Sequence, residues 1–144
     1  MKKLVIQKVS GEDAEPIVGP LYHSEGNGIE VRPTDLFFVG FVDQDVVASV
    51  RFCVEEQTPM LRTMRIAKRV QRNGLGLNML KVFEEYLNIN NIRRTYCLPY
   101  AHLEQFYGSI GFRTTPIESA PAFLQQRLRE NRKKGYDVIC MMRD

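Results

Sequence analysis

The chain has 144 residues, 44% of them hydrophobic, and its 20 Lys and Arg against 17 Asp and Glu leave a net charge of +3. That length suits one domain with a proper core, residues 1–144, and so mild a charge does not ask for nucleic acid. No apolar run approaches the roughly 20 residues of a membrane span, Met1-Lys2-Lys3 opens no signal-peptide core, and three scattered cysteines (Cys53, Cys97, Cys140) point to reduced thiols in the cytoplasm rather than to a disulfide frame or a metal site.

Leu4 to Val9 alternates apolar and polar residues and reads as a strand. Ser10 followed by Glu12 and Asp13 has the look of a helix start, since acids favour a first turn. Pro16, Gly19 and Pro20 interrupt the pattern that follows, so short or broken helices are expected to Tyr22, then a Gly-rich loop from His23 to Thr34. Leu36 to Val42 is apolar throughout, as in a strand covered on both faces. Asp43-Gln44-Asp45 makes a turn into Val46 to Val54, where Val46, Ala48, Val50, Phe52 and Val54 share one face and Val47, Ser49, Arg51 and Cys53 the other. Gln57-Thr58-Pro59 makes the next turn and Met60 to Ile66 the next strand, completing an antiparallel run of three.

Gln71-Arg72-Asn73-Gly74-Leu75-Gly76 then lies where strand gives way to helix. Glycine lets backbone approach a ligand, and the free N–H groups of a helix start attract phosphate, so this stretch is a candidate pyrophosphate cradle. The helix from Leu75 to Leu87 carries an apolar stripe of Leu75, Met79, Leu80, Phe83, Tyr86 and Leu87, with Asn78, Lys81, Glu84, Glu85 and Asn88 opposite. Ile92 to Leu98 reads as a strand ended by Pro99, and Ala101 to Ile110 as a short helix capped by Gly111. Phe112 to Thr115 begins a strand, Ala122 to Lys134 is a basic helix, and Tyr136 to Met142 is the last strand. From periodicity alone, Tyr107 lies on the apolar face of Leu103, Phe106 and Ile110 and would be a core residue.

Two motifs make the chain resemble the GNAT (GCN5-related) N-acetyltransferase family. Gln71-x-x-Gly74-x-Gly76 is similar to its Gln/Arg-x-x-Gly-x-Gly/Ala acyl-CoA motif, and Phe106-Tyr107-Gly108-Ser109-Ile110-Gly111-Phe112 to its later Phe-Tyr-x-x-x-Gly-Phe segment, with one helix and one strand between them. The resemblance spans essentially the whole chain. It implies an α/β (α+β) fold: a mixed, splayed central sheet with helices on both faces, and acetyl-CoA in the gap beside the 60–66 strand. It implies that backbone groups of Met64, Arg65 and Ile66 pair with the pantetheine arm. Gln71, Arg72, Asn73, Gly74, Leu75, Gly76 and Leu77 would hold the pyrophosphate. Arg62, Arg65, Lys68 and Arg69 crowd the same region, where a cofactor with three phosphates would welcome some of them, but each taken singly reads first as a solvated surface charge, Arg72 being the exception.

The activity so implied is acetyl transfer from acetyl-CoA to a primary amine of a small-molecule or peptide acceptor, without a metal. A non-catalytic acyl-CoA-binding module of the same fold is the alternative. Such a transfer needs a neutral amine, although an alkyl amine has a pKa of about 10.4. It also needs a polarised carbonyl, for which the Ile66 N–H is the candidate, and an acid for the departing thiolate, the role the family motif gives to Tyr107. The strand before the glycine turn carries no carboxylate, which leaves Glu55 and Glu56 as bases acting through water. His102, and His23 with Glu25 and Glu30 in the acceptor loop, read first as surface residues. Cys97 reads as a small buried hydrophobe without a catalytic role. The last strand and residues 116–134 offer elements for a homodimer.

Overall fold

The computed structural model describes residues 3–24, 29–71 and 74–144. Its elements run β1 (Leu4–Ser10), α1 (Gly11–His23), β2 (Leu36–Val42), β3 (Asp45–Glu55), β4 (Thr58–Ile66), α2 (Leu75–Ile89), β5 (Thr95–Cys97), α3 (Glu104–Gly108), β6 (Arg113–Thr114), α4 (Ala122–Lys133) and β7 (Met141–Arg143). Among the described residues the strands make one mixed sheet in the order β1-β2-β3-β4-β5-β7-β6. No described helix is long and apolar enough to cross a membrane.

Helices cover both faces, as expected. The even positions of β3 (Ala48, Val50, Phe52) meet Leu75, Met79, Leu80, Phe83 and Leu87 of α2, together with Tyr107 of α3. Tyr86 adds edge-on contacts to Phe38 and Phe52, with ring centroids 5.4 and 5.2 Å apart. On the other face Ala14, Val18 and Tyr22 of α1 pack on Phe37 and Val39, and Leu124 and Leu128 of α4 on Cys53, Met60 and Tyr96. Each large apolar side chain buried this way contributes about 1.5–3 kcal/mol.

Several local expectations are corrected. α1 is one helix rather than broken pieces. Pro16 and Pro20 both lie on its exposed side, so the carbonyls they leave without a donor face water, while its buried stripe holds the helix to the sheet. The turns joining β2 to β3 and β3 to β4 are two-residue hairpins with positive φ at Asp43 and Gln44, and at Glu56 and Gln57, the mirror-image turns whose twist suits paired strands. β4 therefore starts at Thr58 and includes Pro59. Pro59 sits opposite Val54, next to Cys53↔Met60, at a position where its missing N–H is not needed by β3. Val46 does not share the face of Ala48. The register slips by one between Gly40 and Phe41, a bulge that turns Val46 to the α1 side.

β5 is shorter than expected because Asn91 and Arg94 adopt positive φ of 52° and 53° before it. β7 shrinks to Met141–Arg143 because the preceding segment pairs elsewhere. Ile139 N–H donates to the Pro99 carbonyl (2.9 Å), Ala101 N–H to that of Asp137 (2.8 Å) and Thr115 N–H to that of Cys140 (2.9 Å).

The feature that sets up the site is the junction of β4 with β5. These strands are parallel and pair at Met60↔Tyr96 alone. Beyond that point they diverge, and the outer half of β4 loses its neighbour on that side.

Candidate active site

β4 is not regular where it leaves β5. Its register against β3 jumps from Ser49↔Arg65 to Arg51↔Arg62, which places one extra residue in β4. Thr63 takes φ +45° there, a left-handed conformation that a β-branched residue adopts only when its surroundings compel it. The surroundings are visible. The Tyr22 hydroxyl, from the end of α1, donates to the Thr63 carbonyl, and Arg51 Nε donates to Thr63 Oγ1 at 3.0 Å. Arg51 is itself fixed by Asp35 (3.1 Å) and by the Glu30 carbonyl (2.7 Å), and both Arg51 and Asp35 are buried. Nothing in the local sequence marks Tyr22, Thr63, Arg51 or Asp35 as a unit. Their partnerships span 12 to 41 positions, and only the bulge brings them together.

The bulge aims backbone into the gap. A trans peptide carries its N–H opposite its carbonyl. With the Thr63 carbonyl held toward Tyr22, the Met64 N–H is turned to the face of α2 and α3. Further along, Ala67 N–H donates to the Val47 carbonyl at 2.8 Å. Antiparallel ladders alternate, so the Ile66 N–H one residue earlier faces away from β3, toward the side that β5 has left. The Ile66 carbonyl accepts from Gln71 Nε2 at 2.9 Å. The Gln71 side chain thus buckles the 3-10 turn Lys68–Val70 back onto β4.

α2 begins just beyond. Gly74, at φ +77°, is its left-handed cap, and no side chain among the described residues caps the first turn. The opening amides of Leu75, Gly76 and Leu77 are orphan donors of a helix start. The two glycines differ in purpose. Space beside Gly74 is open, and it is the positive φ that favours glycine. A Cβ on Gly76 would meet the Phe106 ring at 3.0 Å, so Gly76 lets α3 close against α2. Arg72 and Asn73 lie outside the described residues.

Three cavities converge on the bulge. The largest, about 740 Å³, runs between Met64–Ile66, the start of α2, and Tyr100, Phe106 and Tyr107. A second of about 200 Å³ continues through the gap past Met60, Cys97 and Tyr107. A third of about 180 Å³ opens on the α1 side among Tyr22, Arg51, Thr63 and Arg65. Tyr107 is shared by the first two, Thr63 by the last two and Arg65 by the first and third.

Tyr107 is 7% exposed, and its hydroxyl lies 3.9 Å from Met64 Sδ, its one polar neighbour among the described contacts. It is both a core residue and a cleft residue: its ring packs edge-on to Phe106 and Phe112 while its oxygen looks into the gap. Burial raises its pKa, with the neighbouring Cys97 adding to the effect and Arg65 opposing it, so the phenol keeps its proton across the working pH range.

Glu55 is 4% exposed and is gripped by Arg62 Nη1 (2.7 Å), Arg127 Nη1 (2.7 Å) and Arg32 Nη2 (3.5 Å). Burial disfavours its charge, but Arg127, Arg62 and Arg32 together outweigh it and hold the carboxyl below its usual range. Glu56 sits exposed in the β3–β4 turn. Of the basic residues near the turn, Arg62 and Arg65 face the small α1-side cavity, and Arg69 makes an exposed pair with Asp45 at 3.6 Å. Burial pushes the Cys97 thiol well up and that of Cys53 to about 11, so neither is a thiolate nucleophile at neutral pH. His102 stacks on the exposed Tyr100 ring, 5.8 Å between centroids.

No protein-family model and no curated protein matches the chain by sequence. Solved structures match it by fold. Escherichia coli ElaA covers 99% of this chain and 100% of its own, at 14% identity and TM-score 0.73. An acetyltransferase of the GNAT family from Streptococcus pneumoniae does so over 99% and 100%, at 18% identity and TM-score 0.70. N-acetylglutamate synthase from Neisseria gonorrhoeae, solved with coenzyme A and N-acetyl-glutamate, matches 96% of this chain at 13% identity and TM-score 0.70, but the match spans 35% of that longer protein.

Proposed function

We propose that this chain, whose fold is that of the GNAT acetyltransferases, is an acyl-CoA-dependent N-acyltransferase that moves an acetyl group from acetyl-CoA to a primary amine. The observation that carries this reading is the Tyr107 hydroxyl, buried, protonated and held at the gap between β4 and β5, beside outward-turned backbone of β4.

The residues fit the co-substrate. The amides of Leu75, Gly76 and Leu77 at the start of α2 suit a diphosphate, with Gln71 and Gly74 flanking them. The long cavity leads from there along Met64, Arg65 and Ile66 to Tyr107, the path a pantetheine arm would take, pairing with the backbone that β5 leaves free. Acetyl-CoA supplies an acyl group activated as a thioester. The Ile66 and Met64 amides divide the work of pairing with the arm and polarising its carbonyl. The position of the Tyr107 oxygen next to Met64 puts the reacting end nearer Met64. As the amine nitrogen bonds to the acyl carbon and the carbon–sulfur bond breaks, Tyr107 donates a proton to the sulfur, the amine gives one up to water, and the Tyr107 phenolate takes a proton back from water. Glu55 and Asp35 are held by guanidiniums. We therefore assign Glu55 to holding Arg62 and Arg127 in place and give Glu56 no part in proton transfer.

Thiol release from acetyl-CoA with a panel of amines tests this. Tyr107→Phe is expected to lower kcat by about 10²-fold, the lower end of what a positioned acid contributes, with CoA affinity retained. Undiminished turnover in that variant would remove Tyr107 from the mechanism. Tight acetyl-CoA binding with no release for any amine would favour a non-catalytic acyl-CoA-binding module.

A further inference from the structure

We infer that the acceptor amine carries an anionic group, a carboxylate in the size range of a free amino acid, and that Arg65 receives it in the small cavity on the α1 side of the bulge. This rests on the acyl-transfer reading above and names the class of acceptor for that site.

Four arginines line this cavity: Arg32, Arg51, Arg62 and Arg65. Three are occupied. Arg51 is bonded to Asp35, the Glu30 carbonyl and Thr63 Oγ1. Arg62 holds Glu55 at 2.7 Å. Arg32 reaches Glu55 at 3.5 Å from a side chain 55% exposed. Arg65 is different. Its Nε is buried without a hydrogen-bond partner among the described residues, and its Nη1 makes one long contact of 3.3 Å, to the neighbouring Met64 carbonyl. A guanidinium has five donors in a fork that matches a carboxylate, and a buried donor without a partner is a cost the fold bears for a reason.

Arg65 borders both the long cavity and the small one, and its guanidinium leans to the small one. Its guanidinium lies 6.0 Å from the centre of the Tyr22 ring, on the α1 side of the sheet, whereas the α2 start lies beyond the end of β4. Its position one residue past Met64 sets an anion close to the reacting end of the cleft. The cavity, about 180 Å³, is smaller than the roughly 300–1,000 Å³ of drug-sized pockets, so it suits a short acceptor. Of the three carboxylates among its described lining residues, Asp35 and Glu55 already face guanidiniums and Glu30 is exposed, so four arginines stand against one exposed acid and the balance favours an anion over the far end of a diamine.

The test is thiol release from acetyl-CoA with the common L-amino acids and the C-terminal amide of each, pairs that differ only in the anion, with putrescine as a dication. At least one acid is expected to exceed its amide tenfold or more in kcat/KM. Arg65→Gln is expected to bring that ratio near one, chiefly through the KM of the acid, and Arg65→Lys to restore part of it; an unchanged unfolding temperature shows that the variants fold. Amides equal to acids, putrescine preferred, or a ratio indifferent to Arg65→Gln would overturn the inference and leave acyl transfer standing. A rise in the KM of acetyl-CoA with the acid-to-amide ratio intact would reassign Arg65 to the co-substrate and overturn it too. No release with any acceptor would overturn acyl transfer itself, and this inference with it.

Discussion

Glu55 gathers three guanidiniums from three separate parts of the chain: Arg32 before β2, Arg62 in β4 and Arg127 in α4. Its carboxyl is held below the ordinary value of 4.5, so the folded protein binds that proton less readily than the unfolded chain does. The stability it contributes is complete above the unfolded value and is lost as the pH falls through the lower, folded one. Thermal unfolding followed from neutral pH downward should therefore show a steep loss below about pH 4.5, and Glu55→Gln should flatten that limb while lowering stability at neutral pH. An identical acid limb in the variant would mean that the three arginines do not stabilise the ionised form. Tyr107 is the opposite case, a group that burial keeps neutral.

Among the elements, the start of α2 and the bulge of β4 do most to shape the site, and they were unequally legible. Gln71, Gly74, Gly76 and Tyr107 could be read from sequence because short motifs of fixed spacing carry them. The apolar stripe of α2 could be read because a 3.6-residue period requires only local order. The bulge could not. Thr63 has no residue signature for a left-handed turn, and Tyr22, Arg51 and Asp35 reach it from distant segments. Pro16 and Pro20 misled for the same reason: local propensity favours a break, and burial of Ala14, Val18 and Tyr22 overrides it. The reading of Gly74 as a conformational requirement is testable. Gly74→Ala should lose about 1–2 kcal/mol in chemical denaturation, since a Cβ disfavours φ near +77°. Gly74→Asn should lose less, because Asn tolerates that region. Equal, negligible losses would mean that the turn relaxes to another conformation.

At the scale of the whole molecule, two halves of one sheet meet at a single residue pair, Met60↔Tyr96. Further along, the two halves are spanned by α2 and α3, through the cluster that joins Phe38, Phe83 and Tyr107 to Cys97 and Met141. The opening they leave is where three cavities and the outward-turned backbone of β4 coincide. The central claim is that this opening holds CoA, with the diphosphate on the first turn of α2. Isothermal titration of the whole chain with CoA tests it most directly. The account predicts saturable heat at one CoA per chain, weakened by added salt because the positive end of a helix holds the phosphates. No heat at millimolar CoA, or heat indifferent to removal of the phosphates from the ligand, would contradict it.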